Sequence, residues 1–150
     1  MLQEALQRKW SAVRAGLLDV VDKYAEAELD FRPVADGYSA GDVMRHIAHE
    51  EEIEVAYGLA RVETALPSAF ERDDFATKEA VVRLLERTHA RTLRYLETLE
   101  DAELDAEFTA PWGARGRRID ALLHVLEHEI HHRGELSFML GLLGRRGLDA

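Results

Sequence analysis

Four of the seven histidines lie within the short segment His124-Val-Leu-Glu-His128-Glu-Ile-His131-His132. His128 and His132 are four residues apart, so on a helix their imidazoles share one face and can aim at one point beside it. Ala121 and Met139 belong to the same face, which predicts that the pair points inward. A buried imidazole needs a partner, and a metal ion satisfies two neutral imidazoles at once. The spacing therefore favours a metal site over two interior histidines bonded to backbone or carboxylate groups.

A third ligand must come from another part of the chain. His46 shares a helical face with Glu50, and His49, three residues further on, could serve in its place. Spacing alone leaves both open. Glu50, one turn beyond His46, could orient a ligand from behind. The run Glu50-Glu51-Glu52 is otherwise expected to form a solvated face.

Two further spacings offer alternatives to a single three-histidine site. His128-Glu129-Ile130-His131-His132 matches H-E-x-x-H, the zinc-protease pattern. The residues that follow it supply no convincing third ligand, and no sheet edge is predicted to hold a peptide, so a protease is disfavoured.

Glu-x-x-His occurs twice, from Glu86 to His89 and from Glu129 to His132. Two such motifs and two lone glutamates form the di-iron site of ferritin-like bundles. A ferritin-like di-iron carboxylate protein is therefore one alternative function. The lone donors would be glutamates such as Glu26, Glu28, Glu50 and Glu54.

Composition limits the other function classes. The chain has 150 residues, of which 47% are hydrophobic, which predicts one globular domain over residues 1–150. The net charge of −10 argues against nucleic acid and anionic membranes as partners. With no cysteine, thiolate metal sites and a cysteine nucleophile are excluded. The N-terminal segment lacks a signal-peptide pattern, and no apolar run suffices for a membrane span, so the cytoplasm is expected.

Four segments with helical periodicity must position these side chains, and the three prolines fall between them. Ser39 with Asp42 three residues later predicts the N-terminal cap of the second segment. Leu-, Val- and Ala-rich stripes give each segment an apolar face. The predicted helices are residues 2–28, 39–66, 77–99 and 118–144.

Together the four helices predict an all-α fold, a four-helix bundle. The three connections exceed what adjacent antiparallel helices need, so a connectivity other than simple up-and-down is expected. Residues 101–117 could form a short hairpin. The last helix has two apolar stripes, so it is either central in the bundle or in contact with a second subunit.

Two motifs give the chain a resemblance to a known family. The first is Tyr38-Ser39-Ala40-Gly41-Asp42-Val43-Met44-Arg45-His46-Ile47, at the start of the second helix. The second runs from Leu123 to Glu135 and is similar to the signature H-x-x-x-H-R-G-Q. In this order, and in a chain of this length, the motifs resemble those of the DinB/YfiT-like metalloenzymes.

This resemblance implies a divalent metal held by His46, His128 and His132, commonly nickel or zinc, with iron and manganese as alternatives. It implies a four-helix bundle of unusual connectivity that is often a homodimer. One departure is Glu135, where the family often has glutamine.

The better characterised relatives are transferases or isomerases that use bacillithiol, mycothiol or glutathione. The resemblance therefore favours a metal-dependent enzyme that transfers a low-molecular-weight thiol to an electrophilic substrate, with hydrolysis by an activated water as the other chemistry open to such a site. Because the chain has no cysteine, the thiol must be a second substrate. A non-catalytic helical module of a stress response is the alternative from another class.

Overall fold

The computed structural model describes residues 1–148 and is built mainly from long helices. The second helix, α2, continues directly into a π-helix, and a single-turn helix, α4, precedes a two-stranded hairpin. This confirms the predicted all-α bundle. The elements are α1 (Leu2–Asp22), a 3-10 turn (Glu26–Asp30), α2 (Ala40–Glu51), the π-helix (Glu52–Leu59), α3 (Lys78–Glu97), α4 (Asp101–Asp105), β1 (Glu107–Thr109), β2 (Arg115–Arg117) and α5 (Arg118–Leu142).

Two helix ends differ from the prediction. The first helix stops at Asp22 rather than at residue 28, because residues 26–30 form a separate 3-10 turn. The second stops at Leu59 rather than at residue 66. There the backbone has changed to i+5 hydrogen bonding, and Arg61 adopts φ = 57°, a left-handed conformation that a helix cannot continue through.

The start of α2 is fixed by the predicted cap. Ser39 Oγ accepts a hydrogen bond from the backbone N–H of Asp42 at 3.0 Å, and the Asp42 carboxylate accepts one from the N–H of Ser39 at 2.9 Å. Two backbone donors at the helix end are thereby satisfied. The cap sets the position of His46, which lies about two turns further along α2.

The helices do not follow one another around the bundle. Both α1 and α2 pack against α3 and α5, so α1 and α2 lie diagonally across from each other. Consecutive helices at opposite corners need a long connection, which residues 23–39 supply. The expected connectivity other than up-and-down is therefore present, and α2 and α5 become neighbours.

The hairpin suggested for residues 101–117 is also present. β1 pairs antiparallel with β2, with Phe108 opposite Gly116. The connecting turn carries Trp112, which stacks on Tyr57 with ring centroids 6.2 Å apart. Its ring packs so closely on Gly58 that a Cβ there would lie 2.9 Å from Trp112 Cη2.

The core consists of two apolar clusters with a buried polar layer at their boundary. Arg14 on α1 falls between Trp10 of one cluster and Leu17 of the other. Glu51, His89 and Glu129 occupy the equivalent boundary on the other three long helices, and all are buried. Each helix therefore contributes one ionisable group to the same layer.

The two apolar stripes of α5 are largely buried, since this helix packs between α1 and α2. A row of four apolar side chains on its outer side remains exposed: Leu123, Ile130, Phe138 and Leu142. Within residues 1–148, no helix combines the length and the apolar character that crossing a membrane requires.

Candidate metal centre

Three imidazoles converge in the groove between α2 and α5. His46 Nε2 and His128 Nε2 are 3.0 Å apart, and the ring of His132 lies 4.4 Å from that of His128 and 4.9 Å from that of His46, centroid to centroid. One ring nitrogen from each of the three falls within 4.8 Å of the others. The structure thus brings together the three histidines that the resemblance names.

The surroundings keep His46 and His128 in the form that binds metals. Burial, reinforced by His132, lowers the pKa of His46. Burial, with His132 and His46 close by, lowers the pKa of His128 to about 4. Both rings are therefore neutral near pH 7, with lone pairs available to a cation.

The donor set fits a divalent transition metal. Two nitrogens bonded to one Zn²⁺ at about 2.1 Å in a tetrahedral site lie roughly 3.4 Å apart. The nitrogens of His46, His128 and His132 lie between 3.0 Å and at most 4.8 Å apart, a range that includes that spacing. Three protein ligands leave further coordination positions free, which is typical of catalytic rather than structural metal sites.

Carboxylates stand behind two of the three rings. His132 Nδ1 lies 2.7 Å from a carboxylate oxygen of Glu135 on the same helix. His46 Nδ1 lies 4.0 Å from a carboxylate oxygen of Glu50, beyond hydrogen-bond length. Both carboxylates add negative charge beside a site made of neutral ligands.

His49, the alternative third ligand, faces elsewhere. Its Nε2 lies 3.0 Å from the carbonyl oxygen of Pro67, and its ring packs edge-on against Phe70 with centroids 5.7 Å apart. This is consistent with the choice of His46 that the resemblance implied, and His49 instead ties α2 to the following loop.

The two Glu-x-x-His motifs do not meet. Glu86 is exposed on the outside of α3, whereas Glu129 is buried in the polar layer. There Arg14 donates to Glu129 and also to Glu51, which was not among the predicted donors, so a guanidinium already pairs with the one motif carboxylate that lies in the core. Because Glu129 points into the core, it is also removed from the position of a general base beside His128 and His132.

The expectation of a solvated face at residues 50–52 was wrong for two of its members. Glu51 and Glu52 are both buried. Glu51 pairs with Arg14 at 2.7 Å, and Glu52 pairs with Arg91 from α3. The sequence carried one signal of the buried polar layer. Arg14 lies on the apolar stripe of α1, four residues after Trp10 and three before Leu17.

The surface carries two cavities near the bundle ends of α2 and α5, and one of them includes a histidine of the groove. The larger, about 720 Å³, has His46 in its wall together with Tyr38, Phe70 and Arg72. Tyr38 stacks parallel to the His46 ring at 6.3 Å. The smaller, about 300 Å³, is lined by residues of the hairpin and of neighbouring helices: Trp112, Glu54, Phe108, Arg117, Asp120 and His124.

A helical bundle with α1 diagonal to α2 and three convergent imidazoles between α2 and α5 defines a class of helical protein with a candidate metal centre. The sequence profile of the DinB superfamily matches residues 9–136. The chain therefore belongs to the DinB superfamily, as the motif resemblance indicated.

Comparisons with individual proteins agree with this membership. The uncharacterized protein YjoA of Bacillus subtilis is 25% identical over 134 residues, which are 87% of this chain and 83% of YjoA. YfiT of Bacillus subtilis, described as a probable metal-dependent hydrolase with an unusual four-helix bundle topology, superimposes with a TM-score of 0.67 at 23% identity. That alignment covers 93% of this chain and 87% of YfiT.

Two structures with lower sequence identity to this chain share the fold. A mycothiol-dependent maleylpyruvate isomerase superimposes with a TM-score of 0.62 at 16% identity, covering 91% of this chain and 65% of the isomerase. The colibactin self-resistance protein ClbS, solved in complex with double-stranded DNA, has a TM-score of 0.71 at 14% identity, covering 93% and 95% of the two chains.

Proposed function

We propose that this chain is a divalent-metal-dependent enzyme whose metal is held by His46, His128 and His132. The observation that carries the proposal is the convergence of three imidazole nitrogens within 4.8 Å, one of which belongs to His46 in the wall of a cavity of about 720 Å³. Nickel and zinc are the metals expected, with iron and manganese as alternatives, because imidazole suits all four.

For the reaction, we propose transfer of a low-molecular-weight thiol to an electrophile. The mycothiol-dependent isomerase with the same fold supports this choice. A divalent metal supplies the tendency to hold a thiol as its thiolate. The thiol sulfur forms a bond to the electrophilic carbon, and the thiol proton leaves with the departing group. Tyr38 and Phe70 in the cavity wall would pack against the organic part of the substrate.

Hydrolysis is the second candidate. It is favoured by the similarity to YfiT, described as a probable metal-dependent hydrolase. The same three-histidine groove would serve both reactions, since each needs free coordination positions. The two differ in whether product formation depends on an added thiol.

The first experiment is elemental analysis of protein purified without chelators. We expect one metal per chain in the wild type and loss of metal in His128→Ala and His132→Ala, with the helical circular dichroism unchanged. His49→Ala is the matched control, because that ring bonds to the Pro67 carbonyl instead. Metal retained at full stoichiometry in both helix-α5 variants would refute the ligand set.

The same measurement separates the alternatives. A di-iron protein would carry two metals per chain and lose one in Glu86→Ala, whereas our proposal predicts no effect of this exposed residue. A non-catalytic helical module would carry no metal at any stage of a purification near neutral pH.

Activity is tested next with bacillithiol, mycothiol and glutathione, each with a chromogenic aryl halide as the electrophile. Transfer should require both the thiol and the metal, and His132→Ala should abolish it. Turnover of ester or amide substrates without any thiol would favour the hydrolase instead.

Nucleic acid is not the ligand we propose, although ClbS was solved with DNA. The net charge of −10 opposes binding to a polyanion. A mobility-shift assay with duplex DNA in low salt should show no complex, and a shifted band at micromolar protein would overturn this part of the proposal.

We also propose that the chain forms a homodimer through the exposed apolar row of α5. Phe138, with 68% of its surface exposed, is the largest member. Exposed large apolar side chains along one helix are typical of protein contacts. Light scattering should give twice the chain mass, and Phe138→Glu should give the monomer mass, whereas Val34→Glu, at an exposed loop position, should leave the dimer intact.

A further inference from the structure

His132, one of the three proposed metal ligands, contacts a carboxylate from its own helix. Glu135 lies one turn beyond His132 on α5, with a carboxylate oxygen 2.7 Å from His132 Nδ1. The Glu135 side chain is 35% exposed, and the His132 side chain is 17% exposed. An ionised carboxylate only accepts hydrogen bonds, so Nδ1 must carry the proton.

We propose that Glu135 is a positioning residue of the metal centre. With the proton held on Nδ1, the lone pair of the neutral ring lies on Nε2, and the same hydrogen bond restricts rotation of the ring. Glu135 thus presents His132 as an Nε2 ligand before any metal arrives. The inference rests on the proposed metal-dependent function and identifies what orients one of its ligands.

The contacts of His46 and His128 show why the hydrogen bond between His132 and Glu135 matters. Within residues 1–148, the hydrogen bond of His46 and His128 joins their two Nε2 atoms to each other at 3.0 Å, and this contact must break for both nitrogens to bind a metal. The Glu50 carboxylate is 4.0 Å from His46, too far for a hydrogen bond. Of these three contacts, the one between His132 and Glu135 is the hydrogen bond that can persist when metal binds.

Charge adds a second effect. Three neutral imidazoles leave both charges of a divalent ion uncompensated. The Glu135 carboxylate lies directly behind one ligand, so it offsets part of that charge and makes the imidazole a stronger donor. A neutral side chain that accepts the same hydrogen bond would preserve the orientation and lose this contribution.

Glu135 has one competing use. It forms a second group with His131 and His132 whose ligand atoms also lie within 4.8 Å of one another. In that arrangement Glu135 would bind a second ion directly. The two roles differ in stoichiometry, since an orienting carboxylate leaves one metal per chain and a ligand makes two.

The experiment measures Zn²⁺ and Co²⁺ affinity by competition with a chromogenic chelator. We expect Glu135→Ala to weaken binding by about 10–100-fold, as is usual when the partner of a metal-bound histidine is removed. Glu135→Gln, whose amide oxygen can accept from Nδ1, should recover part of the loss. Glu127→Ala, at an exposed glutamate on the same helix, is the matched control and should bind like the wild type.

A second readout needs no metal. Nitrogen-15 NMR of the metal-free protein should show His132 as the Nδ1–H tautomer in the wild type and in Glu135→Gln. Glu135→Ala should show a mixture of tautomers. Loss of fold alone would not produce this pattern, and circular dichroism checks that each variant remains helical.

The outcomes are distinct. Wild-type affinity in Glu135→Ala overturns the positioning role while leaving the metal centre intact. Two metals per wild-type chain, with one lost in His131→Ala, would show that Glu135 is a direct ligand. A wild type that binds neither Zn²⁺ nor Co²⁺ overturns the proposed function itself, and the positioning role with it.

Discussion

Replacement of Arg14 by methionine tests the buried polar layer formed by Arg14, Glu51, His89 and Glu129, which lies in the core next to the candidate metal centre. The Arg14 guanidinium donates to Glu129 at 2.8 Å and 2.9 Å, to Glu51 at 2.7 Å and to the carbonyl of Leu85. Methionine retains most of the aliphatic volume and removes the charge. Two buried carboxylates would then share the core without a cation.

The expected loss of stability is large. Removing one partner of a buried ion pair costs about 3–5 kcal/mol, because the remaining charge stays buried without compensation. A domain of this size has roughly 5–15 kcal/mol of total stability, so the variant approaches the limit of folding. At about 2–4 °C per kcal/mol, the melting temperature should fall by roughly 6–20 °C.

The loss should depend on pH with a definite sign. Burial alone would raise the pKa of Glu51, but the charge of Arg14 and the bond to His89 lower it to about 2 from an ordinary value of 4.5. Ionised Glu51 therefore stabilises the wild type above about pH 4.5, and this contribution is lost as the pH falls toward 2. Without Arg14, burial raises the pKa, so the variant regains stability as the carboxylates take up protons on acidification. The difference in stability should be largest near pH 7 and shrink below pH 5.

Urea denaturation followed by circular dichroism at several pH values measures this difference. Arg83→Met is the matched control, because Arg83 makes an exposed i,i+4 pair with Glu79 on α3. Such pairs contribute about 0.3–0.5 kcal/mol, so the control should resemble the wild type at every pH. Adding Glu51→Gln and Glu129→Gln to Arg14→Met removes the unpaired charges and should restore much of the loss. If Arg14→Met lies within 1 kcal/mol of the wild type at pH 7, or if the gap widens on acidification, the reasoning is refuted.

Three further destabilising substitutions and one control test the packing around the site, each by urea denaturation. Gly58→Ala would place a methyl group 2.9 Å from the Trp112 ring and should cost about 1–3 kcal/mol and shift tryptophan emission, whereas Gly134→Ala, with nothing within 4 Å, should stabilise by roughly 0.4–1 kcal/mol. Ser39→Ala removes the side-chain acceptor at the start of α2 and should cost about 1 kcal/mol. Tyr24→Phe removes a buried hydroxyl that donates to a carbonyl of α5 at 2.6 Å and should cost about 1 kcal/mol. An unchanged midpoint in any of the three destabilising variants would contradict its contact.

Helical periodicity predicted the four long helices because each buries an apolar stripe, and the stripe is a local property of the sequence. It could not predict where the second helix ends. The apolar residues continue toward Pro67, but the hydrogen bonding changes to i+5 from Glu52, and Arg61 turns the chain in the left-handed region. These changes accompany the packing of Trp112 on Gly58, a contact between segments more than fifty residues apart.

The candidate metal centre was predictable in part for the same reason. The i,i+4 spacing of His128 and His132 is local and carries its own geometry. The choice between His46 and His49 depends on how α2 faces α5, which spacing in one helix does not determine. It became a specific expectation only through the motif resemblance.

The buried acidic residues were beyond periodicity altogether. Three consecutive glutamates usually lie in water, because an unpaired buried charge is costly. Glu51 and Glu52 are buried because arginines from two other helices face them, and those partners are 37 and 39 residues away. Only Arg14, a charge on an otherwise apolar stripe, marked the layer in advance.

The buried polar layer and the candidate metal centre draw on different faces of α2 and α5. His128 and Glu129 are adjacent on α5, so they point about 100° apart, one into the groove and the other into the core. Arg14 pairs with Glu129 of α5 and with Glu51 of α2, so we expect it to help set the spacing between the helices that carry the three imidazoles. Arg14→Met should therefore weaken Zn²⁺ binding as well as stability, although Arg14 is not among the proposed ligands. Measured well below its melting temperature, a fully folded variant with wild-type Zn²⁺ affinity would show that the spacing of α2 and α5 is set by the apolar clusters alone.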